Sequence, residues 1–260
     1  MATSVSAPEM KTFRLFPDGS LDARLWAKLK AELERAGLAH ASLRHQADAV
    51  ISLYGGGPLP SRSERSVLLF DGQLLPEHGA LFADTTPPLL VAGRDPEGAP
   101  AAWEWEVLRA LVSGLPLAAT VCDRQVFRRT LRQLSDVGAV SQEVQDLILS
   151  TSGRRAVAQA AADVMHELAA NALLDAPADA AGAPRYAHRR GEGVRIDPQD
   201  AAEVTFGTSA QYVFLEAVDR FGRMTAAPWG RAVSALGGRL MVNADGGGAG
   251  LGLIRVLEHG

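Results

Sequence analysis

Cysteine is almost absent from this chain, which contains only Cys122 among its 260 residues. A single thiol excludes an intramolecular disulfide and any zinc cluster built from several cysteines, and such sparse usage is typical of a cytoplasmic protein. No apolar run reaches the roughly 18 residues that a membrane helix needs. The first residues, MATSVSAPEMK, lack the basic and then apolar order of a secretory signal. These absences predict a cytoplasmic protein that does not bind a membrane.

An excess of basic charge is also missing. The chain has 26 lysines and arginines against 30 aspartates and glutamates, for a formal net charge of −4. Because a nucleic-acid-binding surface normally shows a clustered basic excess, this balance indicates that nucleic acid is not the partner. Hydrophobic residues make up 47% of the chain, and its length has room for one large domain or two of ordinary size. Heavy use of alanine, arginine and leucine favours a bacterial source.

The first half of the chain alternates short apolar runs with helical patterns. After a flexible lead-in over residues 1–9, glycine and proline bound the runs KTFRLF, ASLRH, DAVISLYGGG, SVLLFDG and PPLLVAG. Strands that are apolar throughout are typical of a parallel sheet covered on both faces. Two helices complete the pattern, SLDARLWAKLKAELERAG, with Ser20 as its expected N-cap, and AAWEWEVLRALVSG. Residues 10–118 are therefore predicted to form a doubly wound α/β domain.

This order of segments resembles the receiver domain of response regulators, which has five strands and a closing helix. The phosphoacceptor aspartate of that family ends the third strand, where this chain has Leu53 and Tyr54. The acidic pair after the first strand is reduced to Asp18, and Asp71 follows the run expected as the fourth strand. The resemblance therefore implies a pseudo-receiver that does not take phosphate by the usual chemistry. An unrelated α/β interaction domain is the alternative.

Residues 119–150 are predicted to be a helical connector. Residues 123–149, DRQVFRRTLRQLSDVGAVSQEVQDLIL, are typical of two helices with a break near Gly138. Such a hairpin would join two domains or form a homodimer. Residues 151–260 are then a second domain, in which helical sequence is followed by the strand-like runs GVRID, AEVTFG and QYVFLEAVD.

The segment ADVMHELAANALLD places polar side chains at regular intervals on an otherwise apolar helix. Glu167, Asn171 and Asp175 lie four residues apart and line one helix face, and Ser152 is expected to cap the start of the helix. Another face has the period of a buried stripe, formed by Val157, Ala161, Val164, Leu168 and Ala172. A helix with one core face and one carboxylate–amide–carboxylate stripe is a candidate wall of a site. A solvated polar face is the alternative interpretation.

Two further motifs follow in the chain. The run QYVFLEAVD ends at Asp219, and the segment DGGGAGLGLIRV places Gly248, Gly250 and Gly252 at the entrance to an apolar helix. Glycines at such positions leave backbone N–H groups free to approach a phosphate. The positive end of the following helix attracts the same anion.

An acid–amide helix, a strand ending in aspartate and a glycine segment before a helix, in that order, resemble the GHKL ATPases. That family includes gyrase, heat-shock chaperones, mismatch-repair ATPases, histidine kinases and anti-sigma serine kinases. The resemblance covers residues 151–260 and implies an α/β sandwich that binds ATP and Mg²⁺. It implies that Glu167 and Asn171 hold the metal, that Glu167 is the general base, and that Asp219 recognises the adenine amino group. The implied nucleotide-binding set is Asn171, Asp175, Asp219, Gly222, Gly248, Gly250 and Gly252.

The chain departs from the family pattern in its first glycine box. In DRFGRM, Phe221 stands where the family has its first glycine, and Gly222 comes one place later. The sequence MHELAANAL also resembles the phosphoacceptor box of histidine kinases, with His166 as the acceptor. In this chain, however, Asn171 stands at the position of that box's proline.

Together, these patterns predict a cytoplasmic bacterial signalling protein with a receiver-like doubly wound α/β domain followed by an α/β sandwich of the GHKL ATPase type. The expected function is that of an anti-sigma-type kinase or a nucleotide-dependent switch, with ATP, Mg²⁺ and a signalling protein as partners. A catalytically inactive pseudo-ATPase that serves as a protein-interaction module is one alternative. A histidine phosphotransfer protein is the other.

Overall fold

The computed structural model describes residues 12–54, 65–70, 74–82, 89–91, 100–114, 117, 125–187, 194–208, 212–236 and 249–259. The chain divides into two compact units. The first unit consists of Met1–Leu74 and Pro88–Val121, and the second of Leu75–Pro87 and Cys122–Gly260. Both units combine helices with a sheet, so the predicted α/β class is confirmed.

The first unit is built on a parallel sheet. Its described strands are β1 (Arg14–Pro17), β2 (Ala39–His40), β3 (Ala49–Tyr54), β4 (Ser66–Phe70) and β5 (Leu89–Val91), in the spatial order β2-β1-β3-β4-β5. Every neighbouring pair among them is parallel. The described helices of this unit are α1 (Ala23–Arg35) and α2 (Ala102–Ser113).

The second of the predicted strands was misplaced. The run ASLRH was expected to be a strand, but β2 ends at His40, just before that run, and Arg44–Gln46 forms a 3₁₀ turn. Pairing with β1 determines this position, because Ala39 lies opposite Arg14 and His40 opposite Leu15. A two-residue edge strand has too few alternating positions to produce a period in the sequence.

Helix α1 joins the core of the first unit through leucines four residues apart. Leu29 and Leu33 are fully buried and share one cluster with core residues of the sheet. The expectation that Ser20 caps this helix was wrong. The cap is Asp22, whose carboxylate accepts a hydrogen bond from the amide of Leu25 at 2.7 Å. Asp22 directly precedes the first helical residue, where a side chain can reach the unpaired N–H groups of the first turn.

Ser20 instead joins the ends of β1 and β3. Its amide, at 2.9 Å, and its hydroxyl both donate to Asp18, and its hydroxyl oxygen accepts a hydrogen bond from the amide of Leu53 at 2.8 Å. Burial alone would raise the pKa of Asp18. The Ser20 and Ser52 hydroxyls, the Ser20 amide and the charge of Arg44 outweigh burial and hold that pKa below its ordinary value. Asp18 is therefore a structural acceptor at this edge of the sheet.

Replacing Ser20 by alanine is expected to lower the free energy of unfolding by about 1 kcal/mol, because the hydroxyl that bridges Asp18 and Leu53 is lost. The pKa of Asp18 is lowered in the folded state. The stabilisation from Asp18 is therefore present above the unfolded-state pKa and is lost as the pH falls through the folded-state pKa. Urea denaturation from neutral to acidic pH measures both effects. A difference between wild type and Ser20→Ala that stays constant in acid would contradict this role.

The second unit is built on an antiparallel sheet. Its described strands are β6 (Gln125–Leu131), β7 (Ala202–Thr208) and β8 (Val213–Val218), in that spatial order. The helices α3 (Leu134–Ser152) and α4 (Arg155–Ala170) pack against each other, and their buried residues share one core with β6 and β7. The helices α5 (Ala226–Ser234) and α6 (Ala249–His259) follow β8 in the chain. The described residues contain no helix long and apolar enough to cross a membrane.

The prediction of two helices over residues 123–149 was wrong. Residues 125–131 form strand β6, and α3 continues through Gly138 without a break. Gly138 is exposed, and a glycine in a helix costs only about 1 kcal/mol relative to alanine. On the buried side of α3, Val137, Val140 and Val144 enter the core with helical spacing. Burial of these side chains therefore outweighs the glycine.

The expected cap of α4 was also wrong. Ser152 is the last residue of α3, where its hydroxyl donates to the carbonyl oxygen of Ile148 at 2.9 Å and accepts from the amide of Arg154 at 3.2 Å. Gly153 follows with a φ of +66°, the left-handed conformation that commonly ends a helix. Two residues, Gly153 and Arg154, therefore separate α3 from α4.

The buried face of α4 differs from the predicted one. Val157 is 41% exposed and Leu168 is half-buried, whereas Ala158, Met165 and Ala169 have no exposed surface. Three members of the predicted stripe are buried as expected: Ala161, Val164 and Ala172. The deepest line of the helix is thus shifted by about one position, because small alanine side chains allow the close approach of α3.

Candidate functional site

The end of α4 carries the polar residues that the sequence singled out. Glu167 lies in the last turn of the helix, and the amide N–H of Asn171 donates back to the carbonyl oxygens of Glu167 and Leu168. The side chains of Glu167 and Asn171 are half-buried. They lie one turn apart, as the four-residue spacing predicts.

The helix widens immediately after this pair. Asn171–Asp175 form a π-helical turn, closed by the amide of Ala176, which donates to the carbonyl oxygen of Asn171 at 2.9 Å. Single π-helical turns are rare and are frequent at functional sites. The wider turn also changes the angular position of Asp175. The third member of the polar stripe therefore does not follow the α-helical spacing from which it was predicted.

Helix α6 approaches α4 at Glu167. A β-carbon added to Gly252 would lie 2.7 Å from Cδ and 3.3 Å from Cγ of Glu167, and closer still to the carboxylate oxygen Oε2. Gly252 is buried at this point, so a larger residue would have to displace the carboxylate. The fold thus brings together the acid–amide end of α4 and the second glycine segment, which are far apart in the sequence.

The glycines of this segment are part of the helix. Because α6 begins at Ala249, Gly250 lies in its first turn, where N–H groups have no partner within the helix, and Gly252 follows one residue after that turn. The positive end of the helix dipole favours a negative group at this place, and the Glu167 carboxylate lies close to it. Gly248 lies outside the described residues.

Asp219 follows β8 and organises a tight turn. Its Oδ1 atom accepts hydrogen bonds from the amides of Phe221, at 2.7 Å, and Gly222, at 2.9 Å. Gly222 has a φ of +57°, a conformation that residues with a β-carbon rarely adopt. The turn explains the displaced glycine of DRFGRM, because the left-handed position comes three residues after the aspartate.

A buried carboxylate that the sequence analysis did not identify is bonded to this turn. Asp200 is 1% exposed and accepts hydrogen bonds from Arg185, from the hydroxyl of Tyr186 at 2.9 Å and from Arg220 at 3.3 Å. Arg220 belongs to the turn after β8, and its guanidinium lies 5.0 Å from the centre of the Phe221 ring. Asp200 therefore anchors the segment that carries the candidate adenine contact.

Charges in this network are paired. Arg185 also lies 3.6 Å from Asp197, and the amide of Asp197 donates to the Tyr186 hydroxyl at 3.1 Å. Burial raises the pKa of Tyr186, and the hydrogen bond to the Asp200 carboxylate adds to the rise against the opposing effect of the Asp197 amide. No local motif signals this set, because its members come from separate loops that meet only in the folded chain.

The described residues contain no preformed metal cage. Among them, no three histidine, cysteine, aspartate or glutamate side chains form a group able to hold a metal ion by themselves. His166, the candidate phosphotransfer residue, is exposed on α4. Exposure is a feature that a phosphoacceptor shares with any solvated helix residue.

Comparisons with protein-family models, with curated protein sequences and with solved structures found no significant match to this chain. Function must therefore be inferred from the residues of the site.

Gly252→Ala is expected to stabilise the protein less than the same substitution at an open helical position. Alanine favours a helix by about 1 kcal/mol over glycine, but at Gly252 its β-carbon must displace the Glu167 carboxylate. Gly138→Ala in α3 is the matched control, because a β-carbon there meets nothing within 4 Å. Urea denaturation of both variants, alone and combined with Glu167→Ala, measures the coupling. In the Glu167→Ala background, we expect Gly252→Ala to stabilise the protein as much as Gly138→Ala does, while the gain from Gly138→Ala stays the same. A gain from Gly252→Ala that is equal with and without Glu167→Ala would contradict the contact.

Tyr186→Phe is expected to lower the free energy of unfolding by about 1.5–3 kcal/mol, because a buried carboxylate loses a hydrogen-bond donor. The exposed pair of Arg129 and Glu143, joined at 2.8 Å, provides the control. Arg129→Gln should cost less than about 1 kcal/mol, because solvent screens exposed ion pairs. Chemical denaturation compares the two variants. Equal effects would show that burial of Asp200 does not strengthen its hydrogen bonds.

Proposed function

We propose that this chain is a cytoplasmic bacterial signalling protein whose second unit binds ATP and Mg²⁺ in the manner of a GHKL ATPase. The observation that carries this proposal is the contact between Gly252 and Glu167. It joins the two motifs to which the family resemblance assigns phosphate binding and metal binding. Neither motif is specific by itself, and their meeting in space is what favours a shared ligand.

The oxygen donors at the end of α4 fit a magnesium ion. Mg²⁺ prefers oxygen ligands, keeps several waters and is usually held by one or two protein groups together with substrate phosphates. Glu167 offers a carboxylate and Asn171 an amide oxygen, and both are half-buried. When bound, the ion would supply positive charge against the phosphates. A complete protein cage is not needed for this role.

The start of α6 fits the phosphates themselves. The amide of Gly250 belongs to the turn whose N–H groups lack partners within the helix, and the helix dipole adds positive potential. Glu167 and a phosphate are both negative. A cation held by Glu167 and Asn171 would therefore lower the repulsion between them.

Asp219 fits recognition of the adenine amino group. Its Oδ1 atom is engaged by two amides of its own turn, which fixes the orientation of the carboxylate. Oδ2 takes no part in those two bonds and would be the acceptor for the base. Gly222 contributes by allowing the turn, and Asp175 adds negative charge beyond the metal-binding pair.

We assign the first unit to a doubly wound, receiver-like fold without phosphoacceptor activity. Its strand order β2-β1-β3-β4-β5 is that of flavodoxin-like sheets, but β3 ends at Leu53 and Tyr54 rather than at an aspartate. Asp18 is bonded to Ser20, and Asp71 lies outside the described residues. Such a unit would receive a signalling protein, or a second copy of this chain, instead of a phosphoryl group.

A catalytically inactive interaction module is the second candidate for the second unit. Two observations favour it. The aromatic Phe221 stands beside the candidate adenine contact, where the family has glycine, and the Glu167 carboxylate packs against the backbone of α6. A general base must reach a water molecule, so this packing counts against hydrolysis by Glu167.

Titration with a fluorescent ATP analogue, with and without Mg²⁺, tests the proposal. Asn171→Ala is expected to lower the magnesium-dependent affinity at least about tenfold, or roughly 1.4 kcal/mol, with an unchanged circular dichroism spectrum. Gln159→Ala is the control on the same helix, since Gln159 is exposed and bonds to Gln145 and Asp163 instead. Absence of binding in the wild type would favour the interaction module. Equal affinity of wild type and Asn171→Ala would remove the metal-binding role of Asn171.

A further inference from the structure

One short segment belongs to a different unit from its sequence neighbours. Residues 75–82, here called the strap, lie between β4 and β5 of the first unit in the chain, yet they are part of the second unit. The strap contains a 3₁₀ segment, Pro76–Phe82. It is closed at its start by the amide of Leu75, which donates to Nδ1 of His78 at 2.9 Å.

The strap is packed on α5 through two glycines. A β-carbon on Gly79 would lie 2.6 Å from the carbonyl oxygen of Gly230 and 3.0 Å from Cβ of Ser234, and still closer to the Ser234 hydroxyl. A β-carbon on Gly230 would lie 2.9 Å from both the carbonyl oxygen of Gly79 and Cβ of Phe82. Atoms do not approach so closely in real contacts, so the two backbones touch only because both positions are glycine.

Helix α5, on which the strap packs, is connected to both parts of the candidate site: the turn of Asp219 and Gly222, and the start of α6. Helix α5 begins at Ala226, shortly after the turn of Asp219 and Gly222, and packs against α6. Helix α6 in turn packs against α4, where Gly252 meets Glu167. A displacement of α5 would therefore reach the adenine turn through the chain and the phosphate segment through α6.

We propose that the strap is a regulatory contact, which sets the nucleotide affinity of the second unit through its packing on α5. Seated on α5, it holds α5 and α6 in the arrangement that binds nucleotide. Released, it lets them move and weakens binding. The inference rests on the proposed nucleotide function, and it adds a packing contact remote from the candidate site that controls the affinity there.

Gly79→Ala tests this role, because its β-carbon collides with the backbone of α5. Hydrogen exchange of the strap and α5 amides should accelerate at least about tenfold, and the dissociation constant of the fluorescent ATP analogue should rise at least about fivefold. Gly138→Ala is the matched control, with open space around its β-carbon. It should change neither quantity by more than about twofold.

Gly230→Ala introduces a clash at the same contact from the side of α5. Phe82→Ala removes part of the contact without introducing a clash. Both should reproduce the effect of Gly79→Ala, so that a folding defect of one variant does not decide the result. Because coupling is reciprocal, saturating ATP analogue should slow exchange of the strap amides in the wild type.

Faster exchange with unchanged or tighter nucleotide binding would overturn the regulatory role and leave the strap as simple packing. Unchanged exchange in all three variants would overturn the contact itself. A wild type that binds no nucleotide would overturn the proposed function and the strap's regulatory role together. A wild type that binds normally, with variants that bind equally well, would overturn the strap alone.

Discussion

Helix α6 reaches α4 only because position 252 has no side chain. The backbone of Gly252 lies against the carboxylate of Glu167, so closely that even a methyl group would have to displace it. This approach brings the start of α6 to the acid–amide end of α4, and the phosphate-binding and metal-binding parts of the proposed nucleotide site depend on it. Without it, Asn171 would be a polar residue at a helix end and Gly250 a glycine at a helix start, with no ligand in common.

Glycines that allow a close approach by other parts of the chain recur elsewhere in the second unit. Gly79 and Gly230 let the strap touch α5, and Gly207 of β7 lies beneath the ring of Phe214, which would be 2.5 Å from an added β-carbon. Interiors are packed to crystal-like density, so contacts of this kind transmit displacement instead of absorbing it. A displacement of α5 would therefore be passed on to α6, which packs against it.

A buried charged group, the carboxylate of Asp200, is the second constraint on this unit. Asp200 is inaccessible to solvent, and such a carboxylate is tolerable only when hydrogen bonds and opposite charge surround it. Arg185, Tyr186 and Arg220 supply them. Because Arg220 stands next to Asp219, satisfying this charge also fixes the turn after β8. Stability of the unit and orientation of the candidate base contact thus depend on one network.

The sequence by itself determined the features that repeat over short distances. Apolar runs located β1, β3, β4 and β5, leucines four residues apart located α1, and four-residue spacing placed Glu167 and Asn171 on one face, because each pattern is the period of a single element. Only the tertiary structure decided the rest. The arginine-rich segment 125–131 is a strand because it pairs with β7 along its whole length, the deepest line of α4 is set by the approach of α3, and Asp200 finds its partners in separate loops. The contacts of the strap with α5 and of Gly252 with Glu167 join residues that are distant in sequence. No local pattern in the sequence shows which distant backbone a glycine will contact.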